Sequence, residues 1–199
     1  MIGTVDTTFA ALAIVAQIAS AVVLIGLVAA LVSPGVRGRL VGAWDALSRQ
    51  ATWAAWFVAA VATGGSMYFS EIADYVPCPL CWYQRIAMYP LAIILLVGAL
   101  LRDRRAGLYA LVFPLVGAGI SIHHIYIEVN PDAESATCRA GVPCSTRWID
   151  EFGYVTIPVM ALSAFVLIAL LSVVALLAGR RAGSDAATPG SDPAGTARP

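Results

Sequence analysis

The sequence predicts an all-α fold, a polytopic bundle of membrane-spanning helices. Three observations carry that prediction. Hydrophobic residues make up 60% of the 199-residue chain and charged residues only 12%, about half the charge of an ordinary soluble domain. The apolar residues fall in long uncharged runs, and roughly 20 such residues cross about 30 Å of hydrocarbon. A helix satisfies its own backbone hydrogen bonds, so helical spans are the structure such runs can adopt in lipid.

Five runs qualify, at 8–32, 51–70, 85–101, 107–127 and 156–178. The first reads as a span and not as a cleaved signal peptide, because it has no positive leading region and is longer than a signal core. The third contains Pro90, which is expected to bend it. The fifth opens on Pro158, a residue suited to a first helical turn. The organisation expected is an N-terminal span and loop over 1–50, a four-helix membrane domain over 51–181, and a disordered tail over 182–199. That tail is rich in Ala, Gly, Ser and Pro and has too little apolar surface to fold.

Arginine sets the expected orientation, since cytoplasmic loops collect positive charge. Arg37, Arg39 and Arg49 follow the first run, Arg102, Arg104 and Arg105 follow the third, and Arg180 and Arg181 follow the fifth. An even number of crossings separates these regions, so they share one side, the cytoplasmic one. The N-terminus, the loop around Tyr75 and the long loop over 128–155 then lie outside. The formal net charge is zero, which leaves no broad field to steer a nucleic acid. Tyr68, Phe69, Tyr75, Trp82, Tyr83, Tyr126, Trp148, Phe152 and Tyr154 cluster toward the outer interface and read as an anchoring belt.

All four cysteines fall in the two outer loops. Cys78 and Cys81 form Cys-Pro-Leu-Cys, and Cys138 and Cys144 form a second close pair. Spacing alone leaves three readings open: structural disulfides, a four-thiolate metal site, or a relay of exchanging dithiols. A Cys-x-x-Cys loop removes little chain entropy as a clamp, and the second pair lacks the zinc spacing. Position adds to the redox reading. Cys78 and Cys81 stand at the head of the third run, where free amides and the helix dipole favour a thiolate. Arg85, four residues after Cys81, shares its helix face and can lower the thiol's pKa. The plainer role for Arg85 is snorkelling to the interface.

The stretch Tyr75-Val-Pro-Cys-Pro-Leu-Cys-Trp-Tyr-Gln-Arg-Ile-Ala-Met-Tyr-Pro90 resembles the signature of the disulfide-bond formation protein B family, DsbB, above all its short Gram-positive branch, BdbC. Gly65-Ser-Met-Tyr-Phe-Ser-Glu71, Cys138-Arg-Ala-Gly-Val-Pro-Cys144 and Trp148-Ile-Asp-Glu-Phe-Gly-Tyr-Val-Thr-Ile-Pro158 belong to the same pattern. The family pattern has four spans, so the first span here is additional to a DsbB-like four-helix core.

The resemblance implies a bacterial inner-membrane thiol:quinone oxidoreductase with its cysteine loops outside and its C-terminus cytoplasmic. It implies a quinone acceptor, menaquinone or ubiquinone, and an extracytoplasmic thioredoxin-fold thiol oxidase of DsbA or BdbD type as partner. Cys138 and Cys144 would take electrons from that partner, with Cys138 forming the mixed disulfide. Cys78 and Cys81 would reoxidise them, and Cys81 would pass electrons to the quinone held by Arg85. His124 falls where the family often has a histidine, and it would bond the quinone or shuttle a proton. His123 and Glu71 carry weaker proton-transfer expectations, and no metal is implied. Two rivals remain: a non-catalytic membrane protein with stapled loops, and an enzyme like vitamin K epoxide reductase. In the latter the Cys-x-x-Cys follows the loop pair, the reverse of the order here.

Overall fold

The computed structural model describes residues 2–103, 105–139 and 141–187. Its helices are α1 (Ile2–Val32), α2 (Pro34–Glu71), α3 (Pro79–Leu100), α4 (Ala106–Ala110), α5 (Val112–Val129), the short α6 (Ala136–Arg139) and α7 (Ile157–Ala187), with a 3-10 turn at Pro131–Ala133. Among the described residues, β structure is confined to one antiparallel bridge between Glu151 and Val155, just before α7. The all-α bundle is therefore as expected.

Among the described residues, four helices are long and apolar enough to cross a membrane: Gly3–Val32, Pro79–Leu100, Ala106–Val129 and Ile157–Leu177. They present lipid-type surface outward. Ile18, Ile25, Ile86, Ile93 and Leu115 are each about 60% exposed, and so continuous an apolar surface requires a partner such as the bilayer. The 51–70 run is helical but is not among these four. Its Thr, Gly and Ser residues and its two tryptophans dilute its hydropathy. It is held by packing, since Ala51, Ala55 and Ala59, one turn apart, are fully buried. Such small residues let helix backbones approach closely where no hydrophobic drive separates lipid from protein.

Several boundaries differ from the sequence reading; α1 starts at Ile2 and α3 at Pro79, each six residues before the expected run. The loop expected up to residue 50 is instead the first part of α2, which starts with Pro34 in its first turn. Pro is tolerated there because that N–H has no helical partner. The 38 residues of α2 extend about 57 Å, nearly twice the hydrocarbon thickness of about 30 Å. At the other end, α7 runs on to Ala187, into the stretch expected to be a tail. Alanines there keep the helix going; the tail from 188 onward lies outside the described residues.

The fourth run is divided at Leu111 into α4 and α5. Pro114 explains the break, because it cannot donate to the carbonyl of Ala110 and its ring crowds that turn. Pro90, by contrast, is accommodated within a continuous α3.

The central helix is α7, which packs against α1, α2, α4 and α5, while α3 packs against α2 and α5. Phe165 of α7 is fully buried among Ala59, Met88, Leu91 and Leu95. A Cβ added at Gly117 of α5 would fall on the Phe165 ring, whereas one at Gly119 would meet nothing within 4 Å. Gly117→Val is expected to destabilise the bundle by about 1–3 kcal/mol through overpacking, and Gly119→Val to be near neutral. Thermal unfolding of the two variants in the same detergent distinguishes them, and equal melting temperatures would refute the packing assignment.

Candidate redox site

The first cysteine pair sits where α3 begins. Cys78 is the N-cap of the helix, with extended backbone, and its Sγ accepts a hydrogen bond from the Cys81 amide at 3.2 Å. A sulfur in that position receives one of the helix's otherwise unpaired N–H groups and lies at the positive end of its dipole. Cys78 and Cys81 are free thiols with sulfurs 2.8 Å apart. The hydrogen bond from the Cys81 thiol draws the Cys78 thiol down to about 5 against the opposing effect of burial, with His124 and the Cys81 amide adding to it.

The second pair is a disulfide between Cys138 and Cys144, whose Cα atoms are 5.4 Å apart. Two thiols joined in this way offer no thiolates, so the arrangement is not the four-thiolate metal site left open by spacing. Cys78, Cys81 and His124 do lie close enough together to present three ligand atoms. Cys78, Cys138 and Cys144 are all buried and form one cluster with Leu80 and Ile127, against which the partly buried Cys81 and Ile120 pack. The loop over 128–155 has thus folded down onto the head of α3. Glu134 Oε1 accepts from the Ser145 amide at 2.9 Å, and Arg147 donates to the Glu128 carbonyl at 3.3 Å. Thr156 donates to the buried Glu128 carboxylate at 2.7 Å, tying the loop's two ends together.

His124 stands between the pairs. Its Nε2 is 3.0 Å from the Cys144 carbonyl oxygen and 3.6 Å from Cys78 Sγ. A carbonyl accepts only, so this geometry selects the tautomer with the proton on Nε2. That leaves Nδ1 to accept from Gln84 Nε2 at 3.5 Å. Gln84 in turn donates to Ser121 at 3.1 Å, and Ser121 donates to the Gly117 carbonyl at 2.8 Å. All three side chains are buried. His123 is exposed and stacks on Tyr126, and Glu71 is exposed, so neither joins the site.

On the other side of Cys81 lies a cavity of about 340 Å³ between α1, α2, α3 and α7. Its walls are largely apolar. Cys81, Gln84 and Arg85 line it from one face of α3, and Phe9, Phe69, Tyr75 and Trp148 line it together with Met88 and Met160. Neither Cys78 nor His124 is among the lining residues. Arg85 does not snorkel outward. It donates to the Ser66 carbonyl of α2 at 2.9 Å, and its guanidinium lies 5.2 Å from the Trp82 ring centre.

The sequence reading missed two groups of residues. Gln84 and Ser121 are polar residues inside apolar spans, a signal that marks functional positions in membranes. Phe69, Tyr75 and Trp148 read as belt residues, yet they stack in a row, Phe69 on Tyr75 at 6.0 Å and Tyr75 on Trp148 at 5.3 Å. No periodicity reveals that row, because its members come from α2, the loop after it and the outer loop.

Comparison with known proteins identifies the family. The family model described as "Disulfide bond formation protein DsbB" matches residues 48–178. The chain is 49% identical over 119 residues to the "Probable disulfide formation protein C" of Halalkalibacterium halodurans, covering 59% of this chain and 87% of that protein. It is 49% identical over 118 residues to the "Disulfide bond formation protein C" of Bacillus subtilis, covering 58% and 85%. A "Probable disulfide formation protein C 1" of Bacillus anthracis is 42% identical over 127 residues, covering 63% and 91%. No solved structure matches the chain. With two cysteine pairs brought together at the head of an apolar bundle, and with that match over most of its length, the chain belongs to the DsbB family of membrane disulfide bond formation proteins.

Proposed function

We propose that the protein is a thiol:quinone oxidoreductase that reoxidises an extracytoplasmic thioredoxin-fold oxidase. One observation carries the reading: Cys78 and Cys81 share one cluster with the Cys138–Cys144 disulfide, and Cys81 also lines the apolar cavity. A single dithiol thereby faces a protein-borne disulfide on one side and a lipid-accessible acceptor on the other. The cavity suits a flat ring with polar oxygens, because its walls are largely apolar and Cys81, Gln84 and Arg85 stand on one face of α3. A bound quinone supplies the acceptor for two electrons and two protons.

The chain's own residues do the rest. The partner's dithiol reduces the Cys138–Cys144 disulfide through a mixed disulfide on Cys138, and the partner leaves oxidised. The Cys138/Cys144 dithiol then reduces a Cys78–Cys81 disulfide, so two electrons and two protons move inward and the outer disulfide re-forms. An oxidised outer pair beside free Cys78 and Cys81, the arrangement described above, is the product of that exchange. His124, with its Nε2 proton toward Cys78 and the Cys144 carbonyl, stabilises the Cys78 thiolate during exchange. That role replaces ring binding, since His124 does not line the cavity. Arg85, anchored on Ser66, presents a fixed cation beside Cys81 for a ring oxygen. The arginine distribution supports cysteine loops on the extracytoplasmic face of the bacterial cell membrane and a cytoplasmic C-terminus.

The test is direct. Purified protein in detergent, supplied with a reduced thioredoxin-fold oxidase and a quinone, is expected to form one quinol for each partner disulfide. Quinone absorbance and thiol titration measure the two sides. Partner oxidation that proceeds with no loss of quinone would sink the acceptor assignment.

A further inference from the structure

The family match begins at residue 48, so α1 lies outside it, yet α1 supplies a wall of the cavity. Phe9, Leu12, Ala13, Ala16 and Ala19 line it. The helix is seated there by specific contacts. Phe9 meets the edge of the Phe69 ring at 5.3 Å, which joins it to the row running through Tyr75 to Trp148. A Cβ added at Gly65 of α2 would fall on the Phe9 ring, so the absence of a side chain at Gly65 makes room for it. Asp6, only 7% exposed, accepts from the Tyr75 hydroxyl at 2.9 Å. Its other carboxylate oxygen, Oδ1, is buried with no hydrogen-bond partner. Gln17 donates to Ser163 of α7 at 3.0 Å and accepts from Tyr154 of the outer loop at 3.0 Å. Three polar contacts across an otherwise apolar helix fix its depth and rotation.

We propose that α1 is the specificity wall of the acceptor cavity, with Phe9 limiting the size of the quinone ring admitted opposite Cys81 and Arg85, and Asp6 holding the Tyr75 side of that opening. The inference rests on the quinone reading above. Phe9 is the bulkiest group that α1 contributes, and it stands on the same cavity as the two α3 residues assigned to the acceptor. Asp6 acts as a positioning residue: it grips Tyr75, which lies three residues before Cys78, and so ties the aromatic row to the redox loop. An apolar pocket discriminates by volume, so removing one ring from its wall changes which ring it accepts more than it changes the chemistry.

Two measurements test this on the full-length protein. In the first, a photoreactive azido-quinone is bound to the wild type, and the labelled peptides are mapped by mass spectrometry. Label is expected on α1 around Ala13 and Ala16 as well as on α3; label on α2, α3 or α7 that leaves α1 untouched overturns the proposal. In the second, Phe9→Ala is compared with the wild type on a one-ring benzoquinone and a two-ring naphthoquinone. The ratio of kcat/KM is expected to move toward the larger ring by about tenfold, mainly through KM. The single-turnover exchange between the cysteine pairs should stay unchanged. Ile18→Ala, on the exposed face of α1, serves as the control. A ratio within twofold of that control overturns the proposal while leaving quinone reduction intact. A wild type that reduces neither quinone overturns the acceptor reading and this one with it. If Phe9→Ala fails to fold, the labelling of the wild type still decides.

Discussion

Cys81→Ser is expected to lower quinone reduction by about a thousandfold or more while leaving the protein able to oxidise one equivalent of its partner. The reason is positional. Cys81 is the member of its pair that lines the apolar cavity, whereas the Cys138–Cys144 disulfide lies with Cys78 in the outer cluster. A serine oxygen cannot close a disulfide, so electrons delivered to the outer pair stay there. Cys78→Ser should be equally inactive in turnover. In both variants the oxidised outer pair is spent in one round and accumulates as thiols that added quinone does not reoxidise. Rapid mixing followed by alkylation and mass measurement counts those thiols. Quinone turnover by Cys81→Ser at more than a few per cent of wild type would show that Cys81 is not the donor to the acceptor.

The second large effect concerns pH. The Cys78 thiol is drawn down to about 5, first by the Cys81 thiol hydrogen bond and then by His124, with burial opposing. The thiolate is the reactive form. It is present above that value and lost as pH falls through it. Attack of the Cys78 thiolate on the Cys138–Cys144 disulfide, the reverse of the proposed electron flow, is therefore expected to be nearly flat at neutral pH and to fall off only near pH 5. His124→Ala removes one stabilising contact, so its midpoint rises toward the ordinary thiol range. Cys81→Ala removes the largest and raises it further. At a pH between the two midpoints, each unit of rise costs about tenfold in thiolate population. The thiolate's ultraviolet absorbance, taken as the difference from Cys78→Ser, measures the midpoint without turnover. An unchanged midpoint in His124→Ala would remove His124 from the exchange step and leave it a structural bridge.

Much of this protein was legible in its residues. The long uncharged runs required helical spans because a backbone in lipid must bond to itself. Cys-Pro-Leu-Cys was expected near the N-terminus of a span, and Cys78 is the N-cap of α3. The second pair was expected to exchange with the first, and the loop that carries it packs on the head of α3. These features are local in sequence or follow from the solvent alone. Boundaries were less legible. The helical start of α2 and the extension of α7 depend on modest propensities that a Gly- and Ser-containing sequence expresses only weakly.

What the tertiary structure alone decided is which way each side chain faces. Cys78 and Cys81 are nearly indistinguishable in sequence and their sulfurs lie 2.8 Å apart, yet Cys81 lines the cavity and Cys78 does not. Arg85 points inward since the Ser66 carbonyl is within reach, and His124 serves the sulfurs because α5 delivers it beneath the outer loop. The role of α1 lay furthest from view. Its sequence is largely apolar and names no partner, and only packing against Gly65, Phe69 and Tyr75 makes it a wall of the cavity. Composition and local pattern determine what a membrane chain must bury; long-range packing determines which residues share that interior.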